Sequence, residues 1–531
     1  MYCHRALKGE LNAHGDKHGK NRQKASRGRA ASGIQQGVSR EVRRQGSLCS
    51  LNCLMYLRAE MCFEAHTFYE RVPVDELVRG SPTERSSSKM NVSARHQDLL
   101  KKTFLDYQST EEFMANPLIV SRAEGLYYWD VEGRRYFDGI SGIYSASLGH
   151  RHPRIEEAIR RQWEKLAFAP PMHGTSDVTL DFVEKIGSLT PGDLNFVKAF
   201  SGGSESIEAA IKFSRQYFKQ TGRPSKYKFI SRYNAYHGAT MGAMAASGTG
   251  ERKTPFEPQP PGFLKVFAPN HYRDRFSDWD QCNRFAAQQF EDVIINEDPE
   301  TVAGVIIEPI SNTGGVITPT EEYFRIIRDA CDRHNVLLIY DEIITGFGRT
   351  GAMFAAHTFG VTPDIICGSK GLSSGAIPLG ALMARQDMGE CFYEQGENFA
   401  HGHTYAGHPL ACAVGIAVVD EIVEQRLDEN AREMGEYLAS KLEGLRDLGV
   451  VREVRGKGLL RGVELVKDTT SMEPFPELGK ALKKTALKNG VILRVDPNWF
   501  AVVPALIIQK DQVDELFELI EKSLKEALTQ V

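Results

Sequence analysis

Four short apolar runs dominate the middle of the chain: KYKFIS (226–231), VAGVIIEP (302–309), VLLIYDE (336–342) and PDIICGSKG (363–371). Turn residues lie near each of them, and amphipathic helical stretches such as EEYFRIIRDACDRH (321–334) lie between some of them. Strands separated by helices predict a mostly parallel sheet in an α/β domain. In open parallel sheets, ligands sit beyond the carboxyl ends of the strands. Three successive runs end there in a functional group: Glu308, Asp341 and Lys370.

The flanking segments read differently. GLYYWDVEGRRYFDG (125–139) predicts a hairpin turning at Glu132-Gly133. HPRIEEAIRRQWEKL (152–166) predicts an amphipathic helix with an apolar face at Ile155, Ile159 and Trp163. After about residue 405 the chain is helix-rich, followed by a strand pair in VVREVRGKGLLRGVEL (450–465) and a final helix over 510–528. That pattern predicts a second, smaller α+β domain.

Composition closes off several functions. A net charge of −4 implies no general affinity for nucleic acid. No stretch approaches 18 uncharged apolar residues, so no membrane span is expected. The nine cysteines are scattered; Cys49 and Cys53 have no second close pair and no His pair, so no metal site is expected. Free thiols suit a reducing compartment, and a cytoplasmic location is expected. Residues 1–45 hold eleven Lys and Arg against three acids, without apolar periodicity. Such a start reads as an unstructured tail or an early start codon, with organelle transit the alternative.

The group ending each run decides the chemistry. Four apolar residues before Asp341-Glu342 match a nucleotide-binding acid motif, but that motif needs G-x-x-x-x-G-K-[ST] as its partner. Gly19-Lys20, Gly456-Lys457 and Gly479-Lys480 all fail that pattern. An anion site is instead offered by FSGGSESIEAAIKF (200–213), where Gly202, Gly203 and Ser204 lead into a helix whose free N–H groups and dipole favour a phosphate. A plain serine N-cap is the other reading of that segment. Tyr236, in the segment Tyr236-His237-Gly238, has a ring that can stack on a flat heterocycle, or simply pack. Lys370, beside apolar neighbours, can have a lowered pKa and form a Schiff base, or be a solvent-facing loop lysine. Together the roles fit pyridoxal phosphate (PLP): a Schiff-base lysine, an acid for the ring nitrogen, an aromatic lid and an anion cradle.

From about residue 110 onward, these segments in this order resemble the class III aminotransferases, a branch of the fold-type I PLP transferases, with motifs most like the ω-amino acid and amine:pyruvate transaminases. The resemblance implies a large PLP-binding domain with a central, mostly parallel sheet flanked by helices, plus a smaller α+β domain. The expected division is a disordered basic extension (1–92), an N-terminal segment of the small domain (93–140), the large domain (141–400) and the C-terminal small domain (401–531). It implies that Lys370 carries the cofactor and shuttles protons, and that Asp341 pairs with the ring nitrogen. Tyr236 and Ile343 flank the ring, Gly203 and Ser204 bind the phosphate through their amides, and His237 and Glu308 lie with the cofactor. Thr404, in HGHTYAGHP, reaches the phosphate of a neighbouring subunit, so a homodimer with shared sites is implied, or a tetramer. Tyr144 lines the substrate pocket where many members have Trp, and Arg494 resembles a mobile carboxylate-binding arginine.

The sequence departs from members acting on ornithine or γ-aminobutyrate: Ala501 and Thr313 stand where those carry Arg and Glu. Ser206 stands where Ala or Thr is usual. The reaction implied moves an amino group from an ω-amino acid or amine to a keto acid, pyruvate foremost. A dialkylglycine-type decarboxylase or an aminomutase on the same fold is the alternative.

Overall fold

The computed structural model describes residues 93–531, apart from Gln108 and Ser277. The basic extension expected over 1–92 lies outside the described residues. Three sheets organise the rest. Strands β1 (Val120–Glu124), β2 (Tyr127–Asp130) and β3 (Arg135–Asp138) form an antiparallel meander. The expected hairpin is β2–β3, with Gly133 at φ 80° in its turn, a conformation that glycine adopts without strain.

The large sheet holds β4 (Phe196–Phe200), β5 (Lys228–Arg232), β6 (Phe263–Val266), β7 (Val302–Ile307), β8 (Leu337–Asp341), β9 (Ile365–Gly368) and β10 (Gly380–Ala384). Their order is β4-β10-β9-β8-β7-β5-β6. The pairs among β5 to β9 are parallel, while β10 runs antiparallel to both β4 and β9. The four apolar runs are therefore strands of one mostly parallel sheet, as their pattern predicts. Every residue of β7, β8, β9 and β10 is buried, because helices cover both faces. Alternation still operates inside the continuous runs: Leu338 and Tyr340 enter one core cluster, Leu337 and Ile339 the other.

One expectation needs correction. The helix Pro153–Lys165 forms, and Ile155 is buried, but Trp163 is 66% exposed. Gln162 takes the inner position, and its Nε2 donates to the Leu166 carbonyl at 2.7 Å. The stripe facing the helix Pro409–Glu424 runs through 155, 159 and 162, an i, i+4, i+7 series that leaves position 163 outside it.

The third sheet holds β11 (Val451–Lys457), β12 (Leu460–Leu465), β14 (Arg494–Asp496) and β15 (Trp499–Val502), in the order β11-β12-β15-β14, all antiparallel. The two-residue strand β13 (Val491–Ile492) leaves this region and pairs parallel with β3. The final helix, Lys510–Leu528, packs on the helix Pro476–Asn489.

Candidate active site

Parallel register brings the ends of β7, β8 and β9 side by side, with Ile307 opposite Tyr340 and Asp341 opposite Cys367. Glu308, Asp341 and Lys370 thus share one edge of the sheet. Asp341 is 4% exposed. Its Oδ2 lies 2.7 Å from His237 Nδ1, and its Oδ1 accepts from the Ile343 amide at 3.2 Å. His237 itself is buried, donates its backbone N–H to Ser247 Oγ at 2.8 Å, and has no partner at Nε2. The imidazole therefore braces the carboxylate rather than standing alone.

The adjacent acid has a different task. Glu342 is wholly buried and caps the helix Ala355–Phe359, accepting from the Ala355 and Ala356 amides at 2.6 and 2.9 Å and from Thr345 Oγ1 at 3.0 Å. Burial raises its carboxyl to about 7, against the opposing pull of those donors. Only one acid of the Asp-Glu pair belongs to the pocket.

Lys370 opens the short turn after β9 with φ 46°, a left-handed conformation that a non-glycine residue holds only when its surroundings impose it. Burial lowers its amine to about 8. Asp341 and Glu308 resist that shift, whereas Arg494 and Arg252 add to it, so four charged groups bear on one nitrogen. Lys370 is half-buried at the strand-end edge, not a fully solvent-facing loop lysine. Glu308 is 4% exposed; its Oε1 accepts from the Tyr236 amide at 3.2 Å and from Ser311 Oγ at 3.0 Å, and burial raises its pKa.

Tyr236 is half-buried. Burial first, and a hydrogen bond with Tyr107 second, push its phenol up to about 12. The Arg252 guanidinium lies 4.7 Å from the Tyr236 ring centroid and 4.3 Å from that of Tyr107. Sequence reading missed Arg252 and Tyr107, since neither sits in a periodic or strand-end position.

The anion cradle is the start of the 18-residue helix Gly203–Gln220. Its N-cap is Gly202, and no side chain caps it. The serine N-cap reading thus fails: Ser204 Oγ instead accepts from the Ala239 amide at 3.1 Å, tying the cradle to the Tyr236 loop. A Cβ at Gly203 would stand 2.7 Å from Ile343 Cδ1, so only glycine lets Ile343 approach. The uncapped helix N-terminus offers N–H donors for a phosphate, Ile343 an apolar face and Asp341 an acceptor for a ring N–H, which together suit a phosphate-bearing heterocycle.

The remaining expected residues lie further out. Tyr144 is buried at φ 65° with its ring centroid 5.8 Å from Lys370 Nζ, and burial raises its hydroxyl. The Asn312 amide and the Arg494 guanidinium lie beside that hydroxyl. Arg494 donates from Nε to Asp496 Oδ2 at 2.8 Å and stacks 5.1 Å from the Trp499 ring centroid. The structure therefore brings Tyr144, Arg494 and Lys370 together. Thr404 is exposed, in a segment whose His401 and His403 rings pack on Phe200. Thr313, half-buried, follows Asn312 in the turn Ser311–Ile317, and Ala501 is buried in β15.

A heterocyclic aldehyde carrying a phosphate fits this edge, which places the fold among the PLP-dependent transferases of fold type I. The chain belongs to the class III aminotransferases, whose family model, Aminotransferase class-III, matches residues 107–524. It is an enzyme, a transaminase, and its cofactor is PLP. It is 38% identical to a probable aminotransferase of Mycobacterium tuberculosis, covering 78% of this chain and 90% of that protein. An (S)-enantioselective ω-transaminase from Thermomicrobium roseum superposes with a TM-score of 0.78 at 38% identity, covering 81% of this chain and 98% of that one. An ω-transaminase from Pseudomonas jessenii, solved in complex with PMP, gives a TM-score of 0.79 at 33% identity, covering 83% and 99%.

Proposed function

We propose that the enzyme moves an amino group from an ω-amino acid or amine to a keto acid, pyruvate foremost. The observation that carries this reading is Arg494: a guanidinium half-tied to Asp496, beside Tyr144, and close enough to bear on the Lys370 amine. A cation in that place can hold a substrate carboxylate while the reacting carbon faces Lys370.

The roles divide as follows. PLP, when bound, supplies an electrophilic carbon and a ring that accepts electron density from the substrate. Gly203 and Ser204 would hold its phosphate with backbone amides. Asp341, braced by His237, would hold the ring-nitrogen proton. Tyr236 and Ile343 would support the two faces of the ring. Lys370 Nζ, lowered to about 8, can accept a proton from the substrate carbon near neutral pH and return it to the electrophilic carbon on the other side of the nitrogen. Burial of Asp341 and Glu308 beside the half-buried Lys370 limits competing water at that transfer.

A homodimer belongs to the same reading. Thr404 is exposed next to residues that pack on Phe200, at the mouth of the phosphate cradle, and a second chain would receive it. A cytoplasmic location suits the reduced thiols of Cys331, Cys367, Cys391 and Cys412. Among those residues no helix is long and apolar enough to cross a membrane.

The test is a donor panel of β-alanine, taurine, putrescine and benzylamine against pyruvate, read by alanine formed. Turnover that stops without pyruvate supports the proposal. Carbon dioxide release, or product without any acceptor, points to the decarboxylase or the aminomutase. No turnover with pyruvate, glyoxylate or 2-oxoglutarate overturns it.

A further inference from the structure

The turn between β7 and Ile317 holds a buried polar side chain whose neighbour is the Tyr144 hydroxyl. Asn312 is wholly buried, and neither its Oδ1 nor its Nδ2 has a hydrogen-bond partner. Its backbone carbonyl closes the turn, accepting from the Gly315 and Val316 amides at 2.9 and 3.2 Å. The side chain is therefore not what builds the turn. Beside it lies the Tyr144 hydroxyl, also buried, which faces the Asn312 amide and the Arg494 guanidinium without a well-formed hydrogen bond to either. A buried amide left unpaired destabilises a fold, and an apolar residue of the same size would be more favourable for folding alone. Such groups persist where a ligand completes them.

We infer that Asn312 is a specificity-determining residue, whose Nδ2 joins the Tyr144 hydroxyl and the Arg494 guanidinium in a cradle for the substrate carboxylate. Three donors from three separate segments converge there: the turn after β3, the turn after β7, and β14. Arg494 supplies the charge, while Asn312 and Tyr144 supply neutral donors that a carboxylate oxygen can accept. Trp499 holds the guanidinium in place by stacking. A plain apolar amine leaves these groups unpaired and is penalised for it. The substrate class is therefore a short amine or keto compound bearing a carboxylate.

This inference rests on the transaminase reading, and its test keeps the two apart. Holoenzyme carrying Asn312→Leu is compared with wild type in the donor half-reaction, run without keto acid and followed by cofactor absorbance. The ratio of rates for β-alanine over benzylamine should fall about tenfold or more. Asn312→Asp, which keeps the volume but adds a repelling charge, should lower the ratio further. The melting temperature of Asn312→Leu should hold or rise. Propionate binding to the holoenzyme, measured by calorimetry, should weaken by a similar factor. If neither amine reacts but propionate still binds wild type and fails on Asn312→Leu, the cradle stands and the transaminase reading falls. A ratio and a propionate affinity both within twofold of wild type overturn the inference. So does a fall in melting temperature with both donors slowed equally, which would make Asn312 a structural residue.

Discussion

The two sides of the pocket are built by different means. The cofactor side is a row of adjacent strand ends, where Glu308, Asp341 and Lys370 leave a sheet whose central strands are wholly buried. The proposed substrate side is assembled from two turns and a peripheral strand: Tyr144 after β3, Asn312 after β7, and Arg494 on a three-residue strand of another sheet. A rigid, doubly covered sheet fixes the first set within narrow limits. Turns and a peripheral strand can change side chain without disturbing that sheet. On the proposed roles, such a division lets one chemistry serve many donors, because the groups that handle protons and those that choose the donor are held by separate scaffolds.

Mutations should respect that division. Lys370→Ala should cost about 10⁴-fold or more in kcat with every donor, and borohydride should no longer fix cofactor to the protein. Residual labelling at another lysine would remove Lys370 from its role. Asp341→Asn should keep the fold and lose about 100- to 1,000-fold in kcat, again for all donors. If only carboxylate-bearing donors suffered, the two sides would not be separable. Arg494→Ala should behave in the opposite way, raising KM for β-alanine and pyruvate about 10- to 100-fold, with much less effect on benzylamine. An equal loss across donors would break the comparison.

The smallest effect concerns stability. Glu342 sits at about 7 in the folded chain against an ordinary 4.5. A carboxyl raised on folding gives its full contribution below the ordinary value and loses it as pH rises through about 7. Wild type should therefore lose more melting temperature than Glu342→Gln between pH 5 and 8, by about 2–4 °C. Parallel curves would show that the Glu342 charge carries no such cost.

The same contrast explains what could be read in advance. Asp341 and Lys370 each follow an uninterrupted apolar run, so local sequence marks both the strand and its end. The hairpin, the strand pair of 450–465 and the final helix carry periodicity of their own. β4 and β10 were not anticipated: GALMA offers little β-branched signal, and its antiparallel insertion between β4 and β9 is decided by packing. Trp163 shows the limit of periodicity, since apolar identity alone does not say which stripe meets a neighbour. Asn312 is polar, stands inside a turn, and gains significance only through Tyr144 and Arg494, 168 and 182 residues away. Arg349 is similar: it reads as part of a glycine-rich loop, yet it is buried and donates to the Leu459 carbonyl at 3.1 Å and to Ser141 Oγ at 3.3 Å.

The short parallel pairing of β13 with β3 has a consequence in time. The turn carrying Tyr144 is anchored by Ser141 Oγ donating to the Val503 carbonyl and by the Val503 amide donating to the Gly139 carbonyl, both at 2.7 Å. On the ribosome the large sheet can close once residue 384 has emerged, but the donor-binding wall must wait more than a hundred residues longer. On the proposed roles, a nascent chain therefore sets Glu308, Asp341 and Lys370 in their row before it acquires any means of choosing what to react with.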